Sequence, residues 1–167
     1  MNIYLYKMTK VLHRQYFQDF ANDPDICSDM NQFSEYTYHE ANVDARWVRQ
    51  KQLDRIHLAI MLGREPIGEI ILKDLDAEKG TLSIHMKNDS FKNHGYGTQA
   101  EILALDYAFY TLGLQTMFAD AIHKNRRSQH VLEKVGFQET HRDEQFVYYR
   151  CDKANWSHQK RDNPACP

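Results

Sequence analysis

Between a strand-like run ending at Met86 and an apolar helical run starting at Ala100 lies Phe91-Lys92-Asn93-His94-Gly95-Tyr96-Gly97-Thr98-Gln99-Ala100-Glu101. Two glycines one residue apart let a backbone come close to a ligand and tolerate positive φ. The helix after them leaves its first N–H groups without intrahelical partners and carries a partial positive charge at that end. Together these features predict a site for phosphate or diphosphate, to which Lys92 and His94 could add charge or hydrogen bonds. The plain alternative for a lone Gly-x-Gly is a tight turn. No third glycine stands at the Rossmann spacing, and no Gly-Lys-Ser/Thr ends the segment as in a P-loop.

The flanking periodicities constrain the fold further. Ile3-Tyr4-Leu5-Tyr6 reads as a strand, and Thr9 caps a helix that keeps Leu12, Tyr16, Phe17 and Phe20 on one face. Asp23-Pro24 starts a short helix, and another begins near Glu40 and carries Trp47, Val48 and Leu53. Strands are predicted over 57–62, 67–72 and 81–86. The turns Gly63-Arg64-Glu65-Pro66 and Asp76-Ala77-Glu78-Lys79-Gly80 make them an antiparallel meander. Beyond the glycines, Ala100, Leu103, Ala104, Tyr107 and Ala108 repeat with helical period, and Ile102, Leu105 and Phe109 widen the stripe into a largely buried helix. Thr116 to Ile122 is a strand, Asn125 caps a helix that stops at Gly136-Phe137, and strands follow over 138–142 and 145–151. The strand–helix–strand crossover implies a parallel pair within an otherwise antiparallel sheet. The expected fold is α/β (α+β layered): a mixed, mostly antiparallel sheet of six to seven strands with helices on both faces. Residues 1–154 form one domain in this reading, and 155–167 a polar, frayed tail.

Composition narrows the function. The 167 residues carry a formal charge of -2, so no basic field recruits nucleic acid. No apolar run reaches bilayer-spanning length and no signal-peptide pattern opens the chain, which predicts a cytoplasmic protein without membrane contact. Cys27, Cys151 and Cys166 lack zinc or redox spacing, and the nine histidines are scattered. Reduced thiols and no metal are expected.

With its order of elements, the chain resembles the GNAT acyltransferase superfamily, nearest its Rim-type, ribosomal-protein-alanine acetyltransferase-like branch. The family's Gln/Arg-x-x-Gly-x-Gly/Ala loop reads Lys92-Asn93-His94-Gly95-Tyr96-Gly97 here, with lysine as the departure. The second block, Asn125-Arg126-Arg127-Ser128 through Glu133-Lys134-Val135-Gly136-Phe137, is similar to the family's Asn-x-x-Ser…Glu-Lys-x-Gly-Phe helix. The resemblance implies acetyl-CoA as co-substrate and a small-molecule or peptide amine as acceptor, in a monomer or homodimer. It implies that backbone N–H groups of Asn93, His94, Gly95, Tyr96, Gly97 and Thr98 hold the diphosphate. It further implies that His85, Met86 and Lys87 pair with the pantetheine arm, that an N–H near Met86 polarises the thioester carbonyl, and that Asn125 contacts CoA.

Two chemical tasks remain. The family's tyrosine acid falls on Leu132 here, so Ser128, one turn earlier on the same face, is the candidate donor to the CoA sulfur. The position near Thr81 that is often acidic in this branch is not acidic, so Glu69 is the first candidate base, ahead of His85 and Asp120. Each has a structural alternative: Ser128 as a local cap helper, Glu69 as an exposed strand residue. Tyr36 and Tyr38 are candidates to line the acceptor cleft, while Trp47 belongs to the core. The competing function is a CoA- or acyl-CoA-binding module of the same fold without catalysis.

Overall fold

Strands β2 (Ile56–Leu62) and β3 (Glu65–Lys73) are buried along almost their whole lengths, which requires cover on both faces of the sheet. The computed structural model describes residues 2–156 and supplies that cover. A seven-stranded sheet runs in the order β1-β2-β3-β4-β5-β7-β6, the others being β1 (Ile3–Lys7), β4 (Lys79–Met86), β5 (Thr116–Ile122), β6 (Gln138–Arg142) and β7 (Phe146–Asp152). Every pairing is antiparallel except β4 with β5, as the crossover requires.

Alternate residues of each strand face different helices. Leu58, Ile60, Ile70, Leu72 and Leu82 share the main apolar cluster with Ala104 and Leu105 of α3 (Tyr96–Asp106) and with Leu132 and Val135 of α4 (Arg126–Val135). On the opposite face, Ala59 and Met61 pack with Met8, Leu12 and Trp47, under α1 (Lys10–Gln18) and α2 (Glu40–Gln52). Thr9 accepts from the Leu12 N–H at 3.2 Å, and Asn125 from the Ser128 N–H at 3.1 Å. Gly136, at φ +126°, ends α4.

Three local features depart from the periodicity. On α2 the buried face is Val43 with Trp47 one turn on; Val48 is 53% exposed because a residue one step from Trp47 is rotated about 100° around the axis, and Leu53, 45% exposed, is the extended C-cap past the helix end. The buried helix α3 runs on into a π-turn over Tyr107–Thr111, closed by the Leu112 N–H on the Tyr107 carbonyl. The frayed tail does not begin at Asn155. Lys153–Trp156 forms a last turn, α5, in which Trp156 is 6% exposed and donates to Asp106 at 2.8 Å. An indole that covers Phe109 is held by burial and a hydrogen bond, whatever the polarity around it. The rest of the expected tail, 157–167, lies outside the described residues.

Candidate active site

The site begins where the sheet comes apart. β4 meets β5 only over Lys79, Gly80 and Thr81, opposite Thr116, Met117 and Phe118. Beyond Phe118 β5 pairs only with β7, and the last five residues of β4 lose their neighbour on that side. Strand parity identifies the released groups. The Lys87 N–H donates to the Ile67 carbonyl at 2.8 Å, so pairs 87/67 and 85/69 are the hydrogen-bonded pairs of the β3–β4 ladder. The backbone groups of Ile84 and Met86 therefore point away from β3, into the gap.

The gap continues into the glycine loop. Asn93 has φ +62° and Gly95 +78°, a left-handed turn that brings successive N–H groups round to one side. Gly95 is the N-cap of α3 and offers no side-chain cap, unlike Thr9 on α1 and Asn125 on α4. The first-turn N–H groups of Tyr96, Gly97 and Thr98 are left for something other than the helix. A Cβ on Gly95 or Gly97 would meet nothing within 4 Å, so open space lies over the loop. That space is a cleft of about 550 Å³ between β4, the loop, α4 and residues 20–34, with Ile84, Met86, Gly97 and Ser128 in its walls.

Parity corrects part of the expected cofactor set. Only Met86 among His85, Met86 and Lys87 turns its backbone to the cleft; Ile84 is the second such residue, and the sequence reading omitted it. The Lys87 N–H is bound to Ile67 and its carbonyl accepts from Ala21 at 3.0 Å. Its ammonium is buried between Asp19 and Glu65, at 3.4 and 3.3 Å. His85 reaches the cleft by its side chain instead, which is 41% exposed. Asn93, Gly95, Gly97, Thr98, Asn125 and Ser128 all line the cleft, whereas His94 and Tyr96 stack on each other beside it, 5.5 Å apart.

Lys92 lines the cleft, but its ammonium is committed, 2.5 Å from both Asp23 and Asp89. Arg127 joins Asp23 at 3.0 Å. Burial alone would raise the Asp23 carboxyl, yet the two cations outweigh it and hold it below its ordinary range. One carboxylate thus ties the α1–α2 connection to the loop and to the first turn of α4.

Beneath His85, on the α1/α2 face, lies a buried polar layer. Glu69 is 2% exposed; one oxygen is 2.7 Å from His57 Nε2, the other 3.5 Å from His85 Nδ1 and 3.4 Å from Arg46. Burial opposes its ionisation, but the approach of His57 and His85 prevails and draws its carboxyl well below the usual range. Such a carboxylate is a weak proton acceptor, and Glu69 does not line the cleft. His13, fully buried nearby, is pushed down to about 4 chiefly by burial and stays neutral. Asp120 also stands apart, in a separate pocket of about 250 Å³ with Thr81 and Tyr148. Leu132 is 2% exposed in the main core.

The sequence reading missed Glu101. It is 1% exposed, lines the cleft, and its Oε2 has no hydrogen-bond partner among the described residues. Burial alone pushes its carboxyl up to about 8. The available signal was a charged residue inside an otherwise apolar helical run, one turn beyond Gly97. Cys27 and Cys151 are free, no group of metal ligands forms among the described residues, and no helix there is long and apolar enough to cross a membrane.

No curated protein sequence matches the chain. Among solved structures, the aminoglycoside acetyltransferase AAC(6')-Ib in complex with parmomycin and acetyl-CoA superposes with a TM-score of 0.78 at 17% identity, covering 98% of this chain and 100% of its own. A spermidine N-acetyltransferase chimera from Vibrio cholerae and hSSAT gives 0.73 at 14% identity, with coverage of 95% and 100%. A GNAT-family acetyltransferase from Bacillus anthracis gives 0.72 at 15% identity, with coverage of 92% and 96%. These likenesses concern the fold. Residues 2–138 match the family model described as an acetyltransferase (GNAT) domain, and the chain belongs to that family.

Proposed function

We propose that this protein is an N-acetyltransferase that moves an acetyl group from acetyl-CoA to a primary amine by direct attack on the thioester. The observation that carries the reading is one cleft bordered by two sets of released backbone donors, the Ile84 and Met86 N–H groups on the free edge of β4 and the uncapped first turn of α3. The N–H groups of Tyr96, Gly97 and Thr98 suit a diphosphate, with Asn93 and Gly95 shaping the turn and Asn125 and Arg127 on the facing wall. Ile84 and Met86 accept the pantetheine arm as an added strand. The Met86 N–H is the donor for the developing oxyanion, a contribution of a few kcal/mol when water is excluded.

His85 takes the proton of the attacking amine. Its Nδ1 lies 3.5 Å from Glu69, without a hydrogen bond between them, and shortening of that contact on ligand binding would orient the ring and leave Nε2 as the acceptor. The amine nitrogen bonds to the carbonyl carbon, the C–S bond breaks, and the sulfur leaves as thiolate. With an ordinary thiol pKa of about 8.5 that departure needs little help near neutral pH, and the Ser128 hydroxyl in the cleft wall is the donor for it. Polyamine and aminoglycoside amines, the acceptors in the names of two fold relatives, head the acceptor panel, followed by protein N-termini and amino acids.

One observation favours a second reading: Leu132 fills the position of the family's tyrosine acid and is buried, which suits a CoA-binding module without turnover. Acetyl-CoA consumption across the amine panel, with the product identified by mass spectrometry, separates the two. Acetylated amine in any arm supports the transferase, and saturable CoA binding with no product in every arm supports the module.

A further inference from the structure

Helix α3 carries a carboxyl where its neighbours are apolar. Ala100, Ala104 and Leu105 are fully buried around Glu101, and no cation contributes to its shifted acidity. A buried polar atom without a partner normally costs a folded protein enough to be rare, so its presence in a ligand cleft points to a partner that arrives with the ligand. Glu101 stands four residues beyond Gly97, which sets it about 6 Å down the helix axis from the predicted diphosphate position. Ser128 and Val131 of α4 line the same cleft, and neither hydrogen-bonds to Glu101 Oε2.

The pantetheine arm is the part of CoA that would pass this point. Its first segment after the diphosphate carries a hydroxyl and then an amide, both able to bond a carboxylic acid. The sulfur lies much farther along the arm. We propose that Glu101 is a cofactor-contacting residue whose buried carboxyl hydrogen-bonds the hydroxyl or first amide of the pantetheine arm. This inference rests on the acetyl-CoA reading above and adds a contact that the glycine loop and the Asn-x-x-Ser block do not supply.

Calorimetric titration with two ligands tests it: CoA, and 3′-phosphoadenosine 5′-diphosphate, which keeps the whole nucleotide diphosphate but lacks the arm. If the parent protein binds neither, the acetyl-CoA reading fails before Glu101 is tested. Given CoA binding, Glu101→Leu is expected to weaken CoA about tenfold, the equivalent of one hydrogen bond, and to leave 3′-phosphoadenosine 5′-diphosphate within about twofold. Glu101→Gln, which keeps a donor and an acceptor, is expected to retain CoA affinity within about threefold. Unchanged CoA affinity in Glu101→Leu overturns the proposal, and so does an equal loss for both ligands, which marks a purely structural role. A spectroscopic readout applies to the parent protein itself. The infrared C=O stretch of a protonated carboxylic acid, absent in Glu101→Gln, should shift on addition of CoA; a band that CoA leaves in place also overturns the contact.

Discussion

Gly68 sits on β3 opposite Met86, in a pair that exchanges no hydrogen bonds and so brings the two backbones closest. A Cβ there would lie 2.8 Å from the His85 carbonyl oxygen, 2.8 Å from Ile60 Cδ1 and 3.2 Å from Met86 Sδ. Ordinary contact begins near 3.4 Å, so two neighbours must retreat by about 0.6 Å, and one of them is backbone. Gly68→Ala therefore overpacks the sheet at the strand whose free edge faces the cleft. The expected cost is about 1–3 kcal/mol. For a domain of this size that corresponds to a fall in Tm of about 2–12 °C. The same displacement moves the Met86 N–H, and kcat/KM for acetyl transfer should drop by about tenfold or more, since misplacements on this scale are costly in a preorganised site. Gly97→Ala is the control. Its Cβ meets nothing within 4 Å and it lies in a helix, so Tm should hold or rise, by up to about 1 kcal/mol of added stability. Thermal unfolding followed by circular dichroism, with CoA titration of both variants, gives the comparison. A Gly68→Ala protein that melts within about 1 °C of the parent and binds CoA equally well refutes the close-approach argument.

Three further outcomes are expected. Glu69→Gln removes a buried charged acceptor at a cost of about 1.5–3 kcal/mol. Because the folded carboxyl lies below its ordinary value of 4.5, that contribution is full above about pH 5 and disappears as pH falls through the lower folded value. A parent-minus-variant gap that stays constant down to pH 2 in denaturant titrations would contradict the assignment. Glu101 carries the opposite sign. Its folded carboxyl, raised to about 8, makes the parent lose about 1.4 kcal/mol per pH unit as the unfolded chain ionises above 4.5. Glu101→Leu should accordingly be more stable than the parent without ligand, by a margin that grows from pH 5 to pH 8 and then levels; a pH-independent margin argues against the buried acid. Trp156→Ala should cost about 3 kcal/mol through lost packing on Phe109 and the lost bond to Asp106, and calorimetric unfolding that matches the parent would make α5 dispensable.

Much of this architecture could be read from local chemistry. Asn125 and Gly136 bound α4 because a cap side chain and a left-handed glycine are decided within four residues of the chain. Thr116–Ile122 is a strand because its alternation is unbroken. What could not be read locally depends on partners distant in sequence. Which of His85, Met86 and Lys87 turns its backbone to the cleft follows from the register with Gly68 and Ile67, and no alternation within β4 reveals it. Glu69 looks like an exposed strand carboxylate until His57, His85 and Arg46 converge on it from three other elements. Lys92 reads as a phosphate-binding cation, yet Asp23, nearly seventy residues away, has already taken its charge. The parting of β4 from β5 is likewise a property of the pair, since each strand alone continues past Thr81 and Phe118.

The central claim, that CoA lies along the released edge of β4 with its diphosphate on the first turn of α3, can be tested one amide at a time. Titration of ¹⁵N-labelled protein with CoA should shift the Ile84 and Met86 amides together with those of residues 95–98, while Lys87, already bonded to Ile67, moves least. 3′-Phosphoadenosine 5′-diphosphate should shift the 95–98 group and spare Ile84. Saturable CoA binding with the largest shifts elsewhere, or with Lys87 moving more than Met86, would contradict the account.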